Sequence, residues 1–454
     1  MPKHEIAVVV LAAGKGTRMK SRLHKVLHPI GNKPMLEHLL HTVRKLAPEK
    51  TVIVVGAERD QVEAAVTDCD IVAQAEQLGT GHAVMMTSEL LETYSGDVLV
   101  LYGDVPFIPA SLMQSMIAAR QEDKVGLVVL GFRPENPAKY GRLITDSDGN
   151  LERIVEFKDA TDTERAVNLC NSGMMLIDGA RLFSWLDQLS NKNAAGEYYL
   201  TDLVEIARMD GRAVAVVEAM EEDVLGINSR EDLAHAEAVF QRKRRSAAMA
   251  AGTTLTDPET VYFSHDTKLA ADVTVEPGVF FGPGVTVEEN ATIKAYSHLE
   301  GVKVRSGASI GPFARLRPGA DIGEDAKIGN FVEIKKAKLE AGVKVSHLSY
   351  IGDAHIGTNA NIGAGTITCN YDGFLKFETH IGAGAFIGSN SALVAPVSIG
   401  AGALVAAGSV ITADVAADAL AVARGKQHQK EGYAASFRNT QAEKKASLAS
   451  RKGK

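Results

Sequence analysis

A chain of 454 residues, 45% hydrophobic and 23% charged, is long enough for two or three folded domains and has the balance of a globular protein. Its formal net charge of -7 gives no general electrostatic reason to bind nucleic acid. Three cysteines, Cys69, Cys170 and Cys369, lie far apart without CxxC spacing, which argues against a disulfide framework or a zinc site and suits a reducing compartment; no apolar run reaches the length of a membrane span.

In chain order, short apolar runs at Ile6 to Leu11, Val52 to Val55, Val98 to Tyr102 and Gly126 to Leu130 alternate with helical spacing at Met35 to Leu46, His82 to Leu91 and Ser111 to Ala119. That alternation predicts an α/β, Rossmann-like first domain with a largely parallel sheet, over residues 1–228, with ligands beyond the carboxyl ends of its strands. The first run leads into Gly14-Lys15-Gly16-Thr17-Arg18, not into a cleavage site of small residues, so it reads as a buried strand. The loop has neither P-loop spacing nor the dinucleotide fingerprint, since Met19 stands where a third glycine would be. Its two glycines still let backbone N–H groups approach an anion, and Lys15, Arg18 and Lys25 add three positive charges.

Leu11-Ala12-Ala13-Gly14-Lys15-Gly16-Thr17-Arg18-Met19, then Gln74-Ala75-Glu76-Gln77-Leu78-Gly79-Thr80-Gly81-His82, then Leu101-Tyr102-Gly103-Asp104 resemble the signatures of the sugar-1-phosphate nucleotidyltransferases. In such chemistry a sugar phosphate oxygen attacks the α-phosphorus of a nucleoside triphosphate, and the protein chiefly aligns two polyanions and neutralises charge. The resemblance implies Mg²⁺ held by Asp104 and Asn228, phosphate bound by the catalytic basic residues Lys25 and Arg18, and nucleotide contacts from Leu11, Ala12, Ala13, Gly14, Gln74, Gly79, Thr80, Tyr102 and Gly103. It further implies a sugar site at Gly141, Glu156 and Asn171; Ser172 follows Asn171 where Thr is the family expectation.

Ser229-Arg230-Glu231-Asp232 has the form of a helix start, and Leu233, Ala236, Val239 and Phe240 follow at helical spacing. One linker helix is expected over 229–252, its basic run Arg242-Lys243-Arg244-Arg245 forming a solvated face. Thr253 to Asp266 reads as irregular. From about Val273 to Ile411 an aliphatic residue then returns every six positions, most cleanly at Val304, Ile310, Leu316, Ile322, Ile328 and Ile334, and glycine often follows it. This period fits neither a helix nor a half-buried strand and is the signature of a hexapeptide β-helix. About seven coils at ~4.8 Å are expected. The period breaks between Ile362 and Ile381, where Thr368 to Phe377 should protrude as a loop.

Such repeats resemble the left-handed parallel β-helix. The runs Gly311 to Gly319, Asn330 to Lys336, His347-Leu348-Ser349-Tyr350 and Asn361 to Gly373, together with the first domain, resemble the bacterial bifunctional uridylyltransferase/acetyltransferases over essentially residues 5–433. That resemblance implies acetyl-CoA and UTP as co-substrates, glucosamine 1-phosphate as acetyl acceptor, and a homotrimer; charge, cysteine usage and the apolar runs lead to the expectation of a cytoplasmic protein with no nucleic-acid partner and no stable membrane insertion. His347 would be the general base, since an imidazole can accept a proton near pH 7. Arg317, Lys335, Tyr350, Asn361 and Lys376 would hold the sugar phosphate, and Asn370, Tyr371, Ser389, Ala407 and Arg424 acetyl-CoA. The residues alone leave open a single-activity nucleotidyltransferase on a non-catalytic β-helix, and a mainly structural trimer. The acetyltransferase domain is expected over 253–433 and a disordered, basic tail over 434–454.

Overall fold

The computed structural model describes residues 5–56, 59–137, 139–146, 150–193 and 195–452. It divides into two compact units, Met1–Ala250 with Tyr262–Thr267, and Ala251–Val261 with Lys268–Lys454.

In the first unit the apolar runs become the strands of a twisted sheet ordered Ala213–Ala219, Val125–Phe132, Cys170–Asp178, Asp97–Tyr102, Ile6–Ala12, Lys50–Val55 and Asp70–Ala73. Pairing is parallel throughout this path except at Cys170–Asp178, which runs antiparallel to both neighbours. All seven residues of Ile6–Ala12 are buried, as a central strand covered on both faces requires. Alternate residues feed two cores: Val8 and Val10 pack with the helix Met35–Val43, while Ala7 and Val9 pack with Ala83 and Val84. This arrangement leaves the carboxyl ends of Ile6–Ala12 and Asp97–Tyr102 side by side.

The linker helix spans Arg230–Ala250. Its start is a reciprocal cap: the Asp232 N–H donates to Ser229 Oγ at 3.1 Å, and the Ser229 N–H donates to Asp232 Oδ2 at 2.9 Å. The helix belongs to the first unit, burying Ala236, Val239 and Phe240. Tyr262–Thr267, expected to lie in the second domain, joins the first unit too. Gln241 holds the Phe263 backbone through both its amide atoms at 2.8 Å, and the His265 N–H donates to Gly31 O at 2.8 Å.

The second unit is a parallel β-helix with three faces. The anchors Val304, Ile310, Leu316, Ile322, Ile328 and Ile334 are at most 1% exposed. One face stacks ten strands from Thr254–Leu255 to Leu420–Ala421, so the array is longer than the expected seven coils. Leu255 and Ala421 stack in register on Val275 and Val405, although their spacing departs from the repeat; the segment read as irregular therefore carries the first rung. Steps of 17 or 18 residues dominate, but Ile362 stacks on Ile387, 25 positions on, because the Thr368–Phe377 loop is inserted there.

The glycines after the anchors set the spacing between coils. A Cβ at Gly329 would lie 1.8 Å from Ser346 O. Gly329→Ala is therefore expected to cost about 2 kcal/mol or more. A lowered melting temperature of the β-helix, read by circular dichroism, checks it; an unchanged one would mean that the coils can separate there.

The tail departs from expectation. Residues Tyr433–Lys452 form a helix, with Gly453 and Lys454 outside the described residues. The absence of an apolar stripe suggested disorder, yet Ala, Lys, Gln, Glu, Arg and Leu without glycine or proline favour the helix locally. All its described side chains are exposed, so this order rests on propensity and not on burial.

Candidate active sites

The first site lies beyond the carboxyl ends of the two central strands. A cavity of about 290 Å³ is lined by Leu11, Ala12, Ala13, Gly14, Lys25, Gln74, Gly79, Thr80, Tyr102 and Asp104, all expected from sequence. Val26, Gln77, Ala83 and Glu197 complete it and were not expected. Gln77 was legible as part of its motif, and its side-chain amide donates to Ala13 O; Glu197 carries no sequence signal. Arg18 and Lys15 are exposed in the loop whose Gly14 borders the cavity.

Local structure explains the placement. Gly16, at φ 57°, lets the stem of Lys25 pack against it; an added Cβ would lie 2.7 Å from Lys25 Cβ. Gln74, 3% exposed, donates from Nε2 to Gly79 O at 3.0 Å and so fixes the turn that starts the helix Thr80–Met85. The Ile227 N–H donates to Asp104 O at 3.0 Å, which sets Asn228 beside Asp104 just ahead of the capped linker helix.

Lys25 Nζ then meets Asp104 Oδ2 at 2.5 Å and Asn228 Oδ1 at 3.2 Å. A carboxylate and an amide oxygen thus already converge on one cation. These hard oxygen donors suit a divalent metal whose remaining ligands are phosphates and water, and among the described residues no cluster of three or more His, Cys, Asp or Glu could hold a metal unaided.

Gly141, Glu156 and Asn171 do not line this cavity. The Asn171 N–H donates to Gly141 O at 2.9 Å, and a Cβ on Gly141 would stand 3.4 Å from Glu156 Oε1, so the three form one group. Tyr102 joins it to the cavity, which it lines, while its ring packs where Gly173, at φ 88°, has no side chain. Burial, then the charges of Asp104 and Glu156, push the Tyr102 phenol up, keeping it neutral. Glu156 lines a second cavity, of about 220 Å³, with Asp159, Thr201, Asp202 and Glu205. Burial and then Asp159 raise the Glu156 pKa, and burial with Glu205 pushes Asp202 up to about 6.

In the second unit the expected residues divide between two faces of the prism. His347 ends the strand Lys344–His347, whose Lys344 pairs with Asn361 on the first face. His347 Nδ1 is 2.7 Å from Asn330 Oδ1 in the coil below. An amide oxygen only accepts, so in the neutral ring this contact puts the proton on Nδ1 and makes Nε2 the accepting nitrogen. Asn330 was not expected to act; its place one coil from His347 is the signal that would have found it. Ser389 and Ala407 continue the same corner, where the Gly408 N–H donates to Ser389 O, and Arg424 donates from Nη1 to Ala407 O at 2.7 Å.

On the next face Glu333 pairs with Tyr350, and Lys335 with Gly352. Arg317 Nη1 donates to Glu333 Oε1 at 2.8 Å. The neighbouring Lys376 ammonium, and to a lesser degree Arg317, lowers the Lys335 pKa. Three cations held together beside two carboxylates, Glu333 and Asp353, form a candidate anion site. The Asn370 amide donates to Asp353 Oδ2 at 2.5 Å, and Tyr371 pairs with Lys376 across the expected protruding loop, whose Phe374 is 91% exposed. The structure thus gathers Arg317, Lys335, Tyr350, Lys376, Asn370 and Tyr371, and leaves His347, Asn361, Ser389, Ala407 and Arg424 on the neighbouring face and its edge.

Residues 8–222 match the MobA-like NTP transferase domain, and 301–336 and 378–413 match the bacterial transferase hexapeptide (six repeats). Three curated relatives are each named bifunctional protein GlmU. The one from Rhizorhabdus wittichii is 58% identical over 98% of this chain and 99% of its own; that from Sphingopyxis alaskensis is 57% identical over 97% and 98%. The third, from Paramagnetospirillum magneticum, is 55% identical over 98% and 99%. The chain belongs to the bifunctional GlmU family. The GlmU fold here is a nucleotidyltransferase domain followed by a left-handed parallel β-helix, as its repeats indicated. A non-catalytic β-helix is the disfavoured reading for a GlmU protein. No helix among the described residues is long and apolar enough to cross a membrane.

Proposed function

We propose that the chain acetylates glucosamine 1-phosphate with acetyl-CoA in its second unit, then transfers uridylyl from UTP to N-acetylglucosamine 1-phosphate in its first. The products are UDP-N-acetylglucosamine, a precursor of cell-wall and outer-membrane polysaccharides, and pyrophosphate. The observation that carries this reading is the presence, in one chain, of the Lys25–Asp104–Asn228 cavity and the Arg317–Lys335–Lys376 anion cluster. A scaffold has no use for three mutually repelling cations.

In the first reaction the sugar amine attacks the thioester carbonyl. Arg317, Lys335 and Lys376 hold the phosphate, and His347 Nε2 takes the amine proton as the C–N bond forms and the thiolate of CoA leaves. Asn330 holds the imidazole in the accepting tautomer. Asn370, Tyr371, Ser389, Ala407 and Arg424 contact acetyl-CoA, and Tyr350 and Asn361 the sugar. In the second reaction Lys25 and Arg18 bind the triphosphate, while Leu11 to Gly14, Gln74, Gly79 and Thr80 seat the nucleoside. Glu156, Asn171 and Gly141 hold the sugar beyond Tyr102. Asp104 and Asn228 would hold Mg²⁺, which neutralises phosphate charge. CoA release that requires glucosamine 1-phosphate tests the assignment; Mg²⁺-dependent pyrophosphate release without it would leave a single-activity enzyme.

A cytoplasmic homotrimer is part of the proposal. Tyr296, Phe313, Phe331 and Leu348 stand exposed, one per coil, at the corner beside His347, all at positive φ. Their rings stack at 5.2 and 5.3 Å. Non-glycine residues pay about 1–2 kcal/mol each for that backbone, which supports an apolar ridge covered by another copy that also brings the two faces' residues together. Phe313→Ser with Phe331→Ser is expected to lower the trimer fraction in light scattering and acetyl transfer with it. An unchanged mass would place the interface elsewhere.

A further inference from the structure

The reading above gives Lys25 to the triphosphate, yet its ammonium donates to both residues assigned to the metal. It lies 2.5 Å from Asp104 Oδ2 and 3.2 Å from Asn228 Oδ1, with the Lys25 and Asp104 side chains only 11% and 15% exposed. An ammonium on these oxygens competes with a divalent ion for their lone pairs, and in a part-buried site the two cations repel strongly. The backbone at Lys25 is fixed, because Val26 and Leu27 in the same turn are 1% and 9% exposed. The side chain, however, is a flexible four-carbon stem, and Gly14 borders it, with an ideal Cβ there 3.9 Å from Nζ. Lys25 can therefore leave Asp104 for an anion in the glycine loop without the fold moving.

We infer that Lys25 is a place-holding cation that keeps divalent metal off Asp104 and Asn228 until nucleotide phosphate draws the ammonium away, so that metal enters with the nucleotide and not before it. This rests on Asp104 and Asn228 being the metal ligands. The protein offers few donors of its own here, so an internal competitor decides whether the free chain binds metal at all. A lysine serving only as a phosphate ligand has no such effect.

The experiment is Mn²⁺ binding to the full chain without nucleotide, read from the electron paramagnetic resonance of free Mn²⁺. Lys25→Met removes the charge, and Lys25→Gln removes it while keeping a hydrogen-bond donor, so either can report if the other folds poorly. Both are expected to bind Mn²⁺ about tenfold tighter or more than the unsubstituted chain, the direction set by removing a part-buried competing charge. The same variants are expected to bind UTP more weakly, so the two affinities move in opposite directions. Unchanged or weaker Mn²⁺ binding in both variants overturns the inference while leaving the metal assignment standing. If the tighter binding survives adding Asp104→Asn to Lys25→Met, the ion sits elsewhere, and both the inference and the metal assignment fall.

Discussion

Asp104→Asn is expected to reduce uridylyl transfer by about a thousandfold or more while leaving acetyl transfer within about twofold, because it removes the one carboxylate in the cavity that pairs with Lys25 and is assigned to the metal. The cost to folding should stay on the order of 1–3 kcal/mol, since Asn keeps the shape and the Asp104 backbone still accepts the Ile227 N–H. Steady-state pyrophosphate release at saturating Mg²⁺ and UTP, beside CoA release by the same preparation, reads both quantities. Turnover within tenfold of the unsubstituted chain would remove Asp104 from the reaction.

His347→Ala should do the reverse. Loss of the base is expected to reduce acetyl transfer by about 10²–10⁴-fold and to leave uridylyl transfer unchanged. Asn330→Ala should cost less, because it removes the tautomer control and not the base. CoA release at saturating substrates reads both variants; acetyl transfer within tenfold of the unsubstituted chain in His347→Ala would assign the proton transfer to another group.

Much of this was legible in the sequence, and the limits have physical causes. The six-residue period names its own core, since every anchor must face the axis, and all six in the cleanest register are buried. The motifs around Gly14, Gly79 and Asp104 name one cavity because each follows a strand of the same sheet. What a linear reading misses is adjacency across coils: Asn330 meets His347 only because a coil takes 17 residues there. The same blindness hid the split between faces, since His347 and Tyr350 are three positions apart but straddle a corner. Lys25, Asp104 and Asn228 come from three distant segments, so their shared cation was invisible before folding. The tail failed for a different reason: apolar periodicity reports burial, and a helix that buries nothing lacks it.

The central claim is that one chain carries two separate reactions linked by a diffusible intermediate. Mixing His347→Ala with Asp104→Asn tests it most directly, in glucosamine 1-phosphate, acetyl-CoA, UTP and Mg²⁺, by measuring UDP-N-acetylglucosamine. Neither variant alone should form the product at more than about a hundredth of the unsubstituted rate, and the mixture should restore it, since each supplies the step the other lacks. A mixture as inactive as its components, from proteins that are each folded, would contradict two independent sites.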